Sequence, residues 1–222
     1  MNSSITFERW IKAVFDHPVT ELEWYWDDDV DLWTEAEWKA WTPALSVDLL
    51  TQTCERSGEV LRAFSDAQVN QGWRFLFIDE YWFNVLDGSV LWPDRKRCIR
   101  SIYTLFEHCF APRCSPHLSH LDERSANPLN SVCYMWWDRF PAYGQPQDPA
   151  RAEVDSKFLD VMRRTLNLNS SACRESALHG LGHWSIDYAE ATTIIDDFLI
   201  RTPNLSRALK EYALQARVGA VQ

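Results

Sequence analysis

The sequence predicts an all-α protein in which antiparallel helical hairpins stack as a short α-solenoid, preceded by an irregular acidic segment near the N-terminus. Three observations carry that expectation. Apolar residues recur every three or four positions over most of the chain, and no sustained period-2 run is bounded by hairpin turns. From Ala150 onward the helical segments follow one another at regular intervals, separated by polar or Pro-containing turns. With 222 residues, 46% of them hydrophobic and 12 of them tryptophan, the chain can bury one sizeable core, so a single domain over 1–222 is expected.

Taken in order, ITFERWIKAVF near the start and SVDLLTQTCER around residue 50 read as helices, while the acidic section between them has no clear period. At SDAQ, Ser65 or Asp66 can cap a helix, and Gln68 stands three residues past Ser65 as a capping box requires. That helix is expected to run through VNQGWRFLFIDEYWFNVL to Leu86 and to end by Gly88. Pro93 and Asp94 open DRKRCIRSIYTLFEHCF, whose apolar positions Cys98, Ile99, Ile102, Tyr103, Leu105, Phe106 and Phe110 keep helical spacing until Pro112. Residues 112–128 read as a loop, NPLNSVCYMWWDRF as a short buried helix closed by Pro141, and PAYGQPQDP as a second loop. The last four segments are AEVDSKFLDVMRRTL, SACRESALHGLGHW, EATTIIDDFLIRT and LSRALKEYALQARV, each 13 to 15 residues long.

The second of these carries two histidines one helical turn apart. Ala177, Leu178, Leu181 and Trp184, with Cys173 beside them, share the face expected to meet the core. Glu175, His179 and His183 form an i, i+4, i+8 stripe roughly opposite, which is accessible or meets another element. The stripe is a candidate for part of a divalent-metal site, since imidazoles one turn apart can share a zinc ion. It lacks the glutamate that H-E-x-x-H places after the first histidine, because Gly180 follows His179. Glycine inside a helix costs about 1 kcal/mol relative to alanine, so Gly180 and Gly182 favour close packing with a neighbouring helix over metal binding.

Through Arg174, Ala177, Leu181 and Gly182, CRESALHGLGHW resembles the helix of a HEAT-like repeat. Together with SIYTLFEHCFAPRCSPHLSH and NPLNSVCYMWWD, it makes the chain from Phe64 onward similar to a family of bacterial HEAT-like proteins, with the repeat pattern clearest at 150–219. The resemblance implies an all-helical fold and a binding role, as stacked repeat helices offer surfaces. It brings no catalytic residues.

HCFAPRCSPHLSH gathers His108, Cys109, Cys114, His117 and His120, a second candidate for zinc. Its spacing departs from that of a zinc finger and two prolines stiffen it, so a loop packed on the domain is the expectation. The six cysteines are scattered through a chain too large to need staples, which predicts reduced thiols and no disulfide. The start, MNSSITFERW, has neither a basic n-region nor an apolar h-region, which points to the cytoplasm. There is no G-x-S-x-G elbow, P-loop or dinucleotide fingerprint, so neither catalysis nor a cofactor is expected.

The formal charge of −10 disfavours nucleic acid or an anionic membrane as direct ligands and makes a basic protein the natural partner. The segment ELEWYWDDDVDLWTEAEWKAW concentrates that charge, with eight acids ahead of its single base, Lys39, and six aromatics among them. D-D-D-V-D lacks the central glycine and terminal glutamate of a calcium-binding EF-hand loop. Trp24, Trp26, Asp27, Asp28, Asp29, Asp31, Trp33, Glu35 and Glu37 are the residues expected to meet a partner, aromatics as anchors and carboxylates as steering groups. The expected function is that of a non-catalytic cytoplasmic binding protein, most concretely an immunity protein that occludes a cognate basic toxin. A metal-dependent enzyme using Glu175, His179 and His183 and a HEAT-like scaffold joining two proteins are the alternatives.

Overall fold

The computed structural model describes residues 5–27, 29–122, 126–140 and 144–221. Among them every regular element is helical and no strand occurs. No helix there is long and apolar enough to cross a membrane. The chain packs as two compact units, Met1–Leu105 and Phe106–Gln222.

In the first unit, α1 (Phe7–Phe15) buries Trp10, Ile11, Val14 and Phe15, the i and i+4 positions of one face. α2 (Glu35–Lys39) opens on a capping box between Thr34 and Glu37, and α3 (Pro43–Glu55) begins with proline at its first position beneath Thr42. After the short α4 (Ser57–Val60), α5 (Asp66–Ile78) starts on the expected Ser65–Gln68 capping box. It stops earlier than its apolar pattern suggests: Glu80 takes a left-handed conformation (φ 60°) and a 3₁₀ segment follows at Tyr81–Leu86. Tyr81 and Trp82, just after that turn, are both buried. α6 (Trp92–Leu105) ends the unit.

The core of this unit is aromatic. Trp10 and Trp33 stack at 5.9 Å between ring centroids, and Trp41 and Tyr81 close the cluster at 5.2 to 5.9 Å. Two indoles of the cluster have their polar edges satisfied: Trp10 Nε1 donates to Thr53 Oγ1 at 2.9 Å and Trp33 Nε1 to the Tyr81 hydroxyl at 2.9 Å. Each such ring removes about 150–250 Å² from water, roughly 4–6 kcal/mol before conformational entropy is subtracted.

The second unit opens on a π turn at Phe106–Phe110 and the short α7 (Ala111–Arg113). The helical run expected to stop at Pro112 stops one residue later, at Arg113. Proline has no amide proton and its ring clashes with the carbonyl one α-turn earlier, here that of His108. The wider π turn relieves that clash, and helical hydrogen bonding continues past the proline with Cys114 N donating to Phe110 O at 2.8 Å. A 3₁₀ turn at Ser119–Leu121 precedes α8 (Pro128–Tyr134) and α9 (Trp136–Arg139), one expected helix broken at Met135.

α10 (Ala152–Thr165), α11 (Ser171–Ser185), α12 (Ala189–Arg201) and α13 (Arg207–Ala216) match the four regular segments within a residue or two. α11 is the hub of the unit, contacting α8, α9, α10, α12 and α13, and every residue from Glu175 to Gly182 is buried. Its two glycines admit neighbours closely. A Cβ on Gly180 would lie 2.5 Å from the Trp137 ring and 2.8 Å from Met162 Sδ; one on Gly182 would lie 2.7 Å from Val221 and 3.2 Å from Ala216 Cα.

Candidate binding face and histidine cluster

The residues expected to meet a partner divide by burial in the first unit. Trp24 is buried, stacked on His17 at 3.8 Å and 4.8 Å from Phe75, and Trp33 is buried in the aromatic core. Neither is placed to enter a partner's cleft. Asp28 lies outside the described residues. Glu37 is spoken for: it accepts from Thr34 N at 2.7 Å and faces Arg9 Nε at 3.4 Å. The Thr34 amide, with help from Arg9, holds its carboxyl below the ordinary glutamate value.

Asp27, Asp29, Asp31 and Glu35 are exposed, and Trp26 is 52% exposed. Asp27 Oδ1 accepts from Asp29 N at 3.0 Å, an Asx turn that fixes this acidic corner. Trp38, outside the expected set, is 50% exposed on α2.

Two cavities border this segment. One of about 730 Å³ is lined by His17, Leu22, Glu23, Trp26, Asp27 and Asp29 among others. A tighter one of about 260 Å³ has Trp24, Tyr25, Trp33, Trp38 and Phe75 on its walls, with Asp27, Asp31 and Asp79 supplying carboxyl groups. Burial, and then the charge of Glu80, raise the Asp79 carboxyl above the usual aspartate value. Tryptophan and aspartate residues around one hollow suit a cationic side chain, which can gain cation–π and ion-pair attraction together.

The histidine stripe of α11 is not a solvent-facing edge. Glu175 and His179 are fully buried, and His183 is one-third exposed. Nor do the three act together. Glu175 turns to the 3₁₀ turn at 119–121, accepting from Ser119 N at 2.9 Å, His120 N at 3.0 Å and His120 Nδ1 at 2.5 Å. His179 and His183 instead meet Asp138 of α9. His179 Nε2 lies 2.9 Å and His183 Nε2 2.6 Å from the same Asp138 Oδ1, and the two nitrogens are 3.2 Å apart.

On its other side His179 Nδ1 is 2.6 Å from the Tyr212 hydroxyl, itself 3.1 Å from that of Tyr134. Burial, the Tyr134 hydroxyl and the charges of Glu175 and Asp138 hold Tyr212 far above the usual phenol range, so it stays protonated. Burial would raise the Asp138 carboxyl. Hydrogen bonds and charge from His179 and His183 outweigh it and hold the group well below the usual range, as a carboxylate. Asp138 escaped the sequence reading because nothing in WWDRF links it to a histidine 41 residues later.

The Cys/His loop disperses. His108 pairs with Glu107 at 3.4 Å, His117 Nδ1 meets Ser115 Oγ at 2.9 Å, and His120 serves Glu175. All six cysteines are free thiols.

No protein-family model, curated protein or solved structure matches the chain.

Proposed function

We propose that this chain is a non-catalytic binding protein whose acidic, tryptophan-bearing face in the first unit receives cationic side chains of a protein partner. The observation that carries the reading is the hollow of about 260 Å³ lined by Trp38 and its aromatic neighbours together with Asp27, Asp31 and Asp79. A lysine or arginine entering it meets ring faces and carboxylates at once, while the exposed acids around Trp26 steer its approach. The most concrete form of this function is immunity: occlusion of a basic toxin, with the toxin's own substrate-binding cations in the hollow. In the second unit, α11 packs on α10, α12 and α13, and α12 on α13, an arrangement in keeping with HEAT-like hairpin stacking.

The test uses a lysine-rich peptide titrated into the protein at low ionic strength, with tryptophan fluorescence as the readout. Trp38→Ala removes a wall of the hollow from an exposed position, so the fold is expected to survive. We expect it to weaken binding by about tenfold or more, the scale of an aromatic anchor lost from an interface. Unchanged affinity contradicts the reading.

A further inference from the structure

We propose that Asp138, His179 and His183 bind one divalent transition-metal ion, with zinc the best fit to the donor set. Three lone-pair atoms converge from two helices: Asp138 Oδ1 from α9, and His179 Nε2 and His183 Nε2 from successive turns of α11. They form a triangle with edges of 2.6, 2.9 and 3.2 Å. A tetrahedral zinc ion with ligands at about 2.0–2.1 Å holds them roughly 3.3 Å apart, so the His183–Asp138 edge has to open by about 0.7 Å and the other two by less. His183, partly exposed at the helix surface, has room to make that shift. Protons on the two imidazole nitrogens satisfy the two edges to Asp138 and leave the nitrogen–nitrogen edge repulsive, whereas a cation at the centre engages all three atoms.

The surroundings match what a metal requires. The carboxylate is one charge against the ion's two, and two imidazoles favour zinc, iron or cobalt over magnesium or calcium, which prefer oxygen. The Tyr212 hydroxyl on His179 Nδ1 fixes the ring so that Nε2 faces the centre, the supporting contact that ligating histidines usually have. Tyr134 continues that support at 3.1 Å. Asp138 and His183 are 24% and 34% exposed, so the centre borders solvent. Three protein ligands with a solvent-facing edge leave a fourth position for water or an exogenous donor, the open form of a zinc site. Glu175, although on the same helical stripe, is no ligand, because its oxygens are held by Ser119 and His120. The proposal is independent of the acidic face in the first unit.

The experiment is equilibrium dialysis of untagged, chelator-stripped full chain against Zn²⁺, followed by elemental analysis, with Co²⁺ as a spectroscopic probe. Wild type is expected to retain one ion per chain and to show the intense visible bands of low-coordinate cobalt. His183→Ala is expected to keep its helical circular dichroism, since His183 is partly exposed. It should lose affinity by more than the about 10–100-fold that a supporting group alone is worth. Asp138→Asn should behave likewise, whereas His108→Ala, at an exposed histidine elsewhere, should bind as wild type does. Failure of wild type to retain any ion overturns the proposal, as does equal retention by wild type and His183→Ala.

Discussion

Asp138 shows how one carboxylate is held in place. Its pKa lies below the unfolded value of about 3.9, so the native state is the one that releases the proton. The stability this adds is fully present above about pH 4 and is lost as pH falls through the depressed native value. Asp138→Asn, compared with wild type in the presence of chelator, should therefore cost about 1.5–3 kcal/mol near neutrality, the worth of hydrogen bonds to a charged group. The difference should shrink below pH 4, and urea unfolding across the pH range measures it. A gap independent of pH would contradict the assignment. At this scale the sequence was half legible. His179 and His183 share a face because helical geometry is local, but their partner comes from tertiary packing, which placed Asp138 beside them and turned Glu175 away.

Among the elements, those defined by local chemistry were readable. The capping box at Ser65 and Gln68 and the regular segments after Ala150 appear where spacing and caps put them. Breaks decided by packing were not. The left-handed turn at Glu80 and the interruption at Met135 fall inside apolar runs that carry no glycine or proline to mark them, and the π turn before Pro112 depends on geometry no propensity encodes. The glycines of α11 were rightly read as packing residues, although at Gly180 the neighbour is an indole and a thioether rather than a helix backbone. Gly180→Ala sets the roughly 1 kcal/mol that alanine gains in a helix against overpacking of about 1–3 kcal/mol. With the Trp137 ring 2.5 Å from the new Cβ, the clash should win, and denaturant unfolding should show net destabilisation of about 1–2 kcal/mol. A more stable variant would mean that Trp137 moves aside freely.

For the whole molecule, composition was informative about charge and uninformative about boundaries. The division after Leu105 falls within TLFEHCF, a stretch of helical spacing with no glycine or proline to mark a linker. The acidic segment was visible as an anomaly, yet burial alone could separate its structural tryptophans, Trp24 and Trp33, from the exposed Trp26 and Trp38. Net charge by itself draws any polycation to a protein of charge −10, so a test of the binding face must hold charge constant.

The most direct measurement compares two variants of equal net charge in the lysine-rich peptide titration: Asp27→Asn, Asp29→Asn, Asp31→Asn in the first unit, and Asp160→Asn, Glu190→Gln, Glu211→Gln in the second. At about 20 mM ionic strength, where screening is weak, the first variant should lose about tenfold or more in affinity and the second little. Equal losses in both would mean that the peptide senses only net charge, and would contradict a binding face at the acidic tryptophan segment.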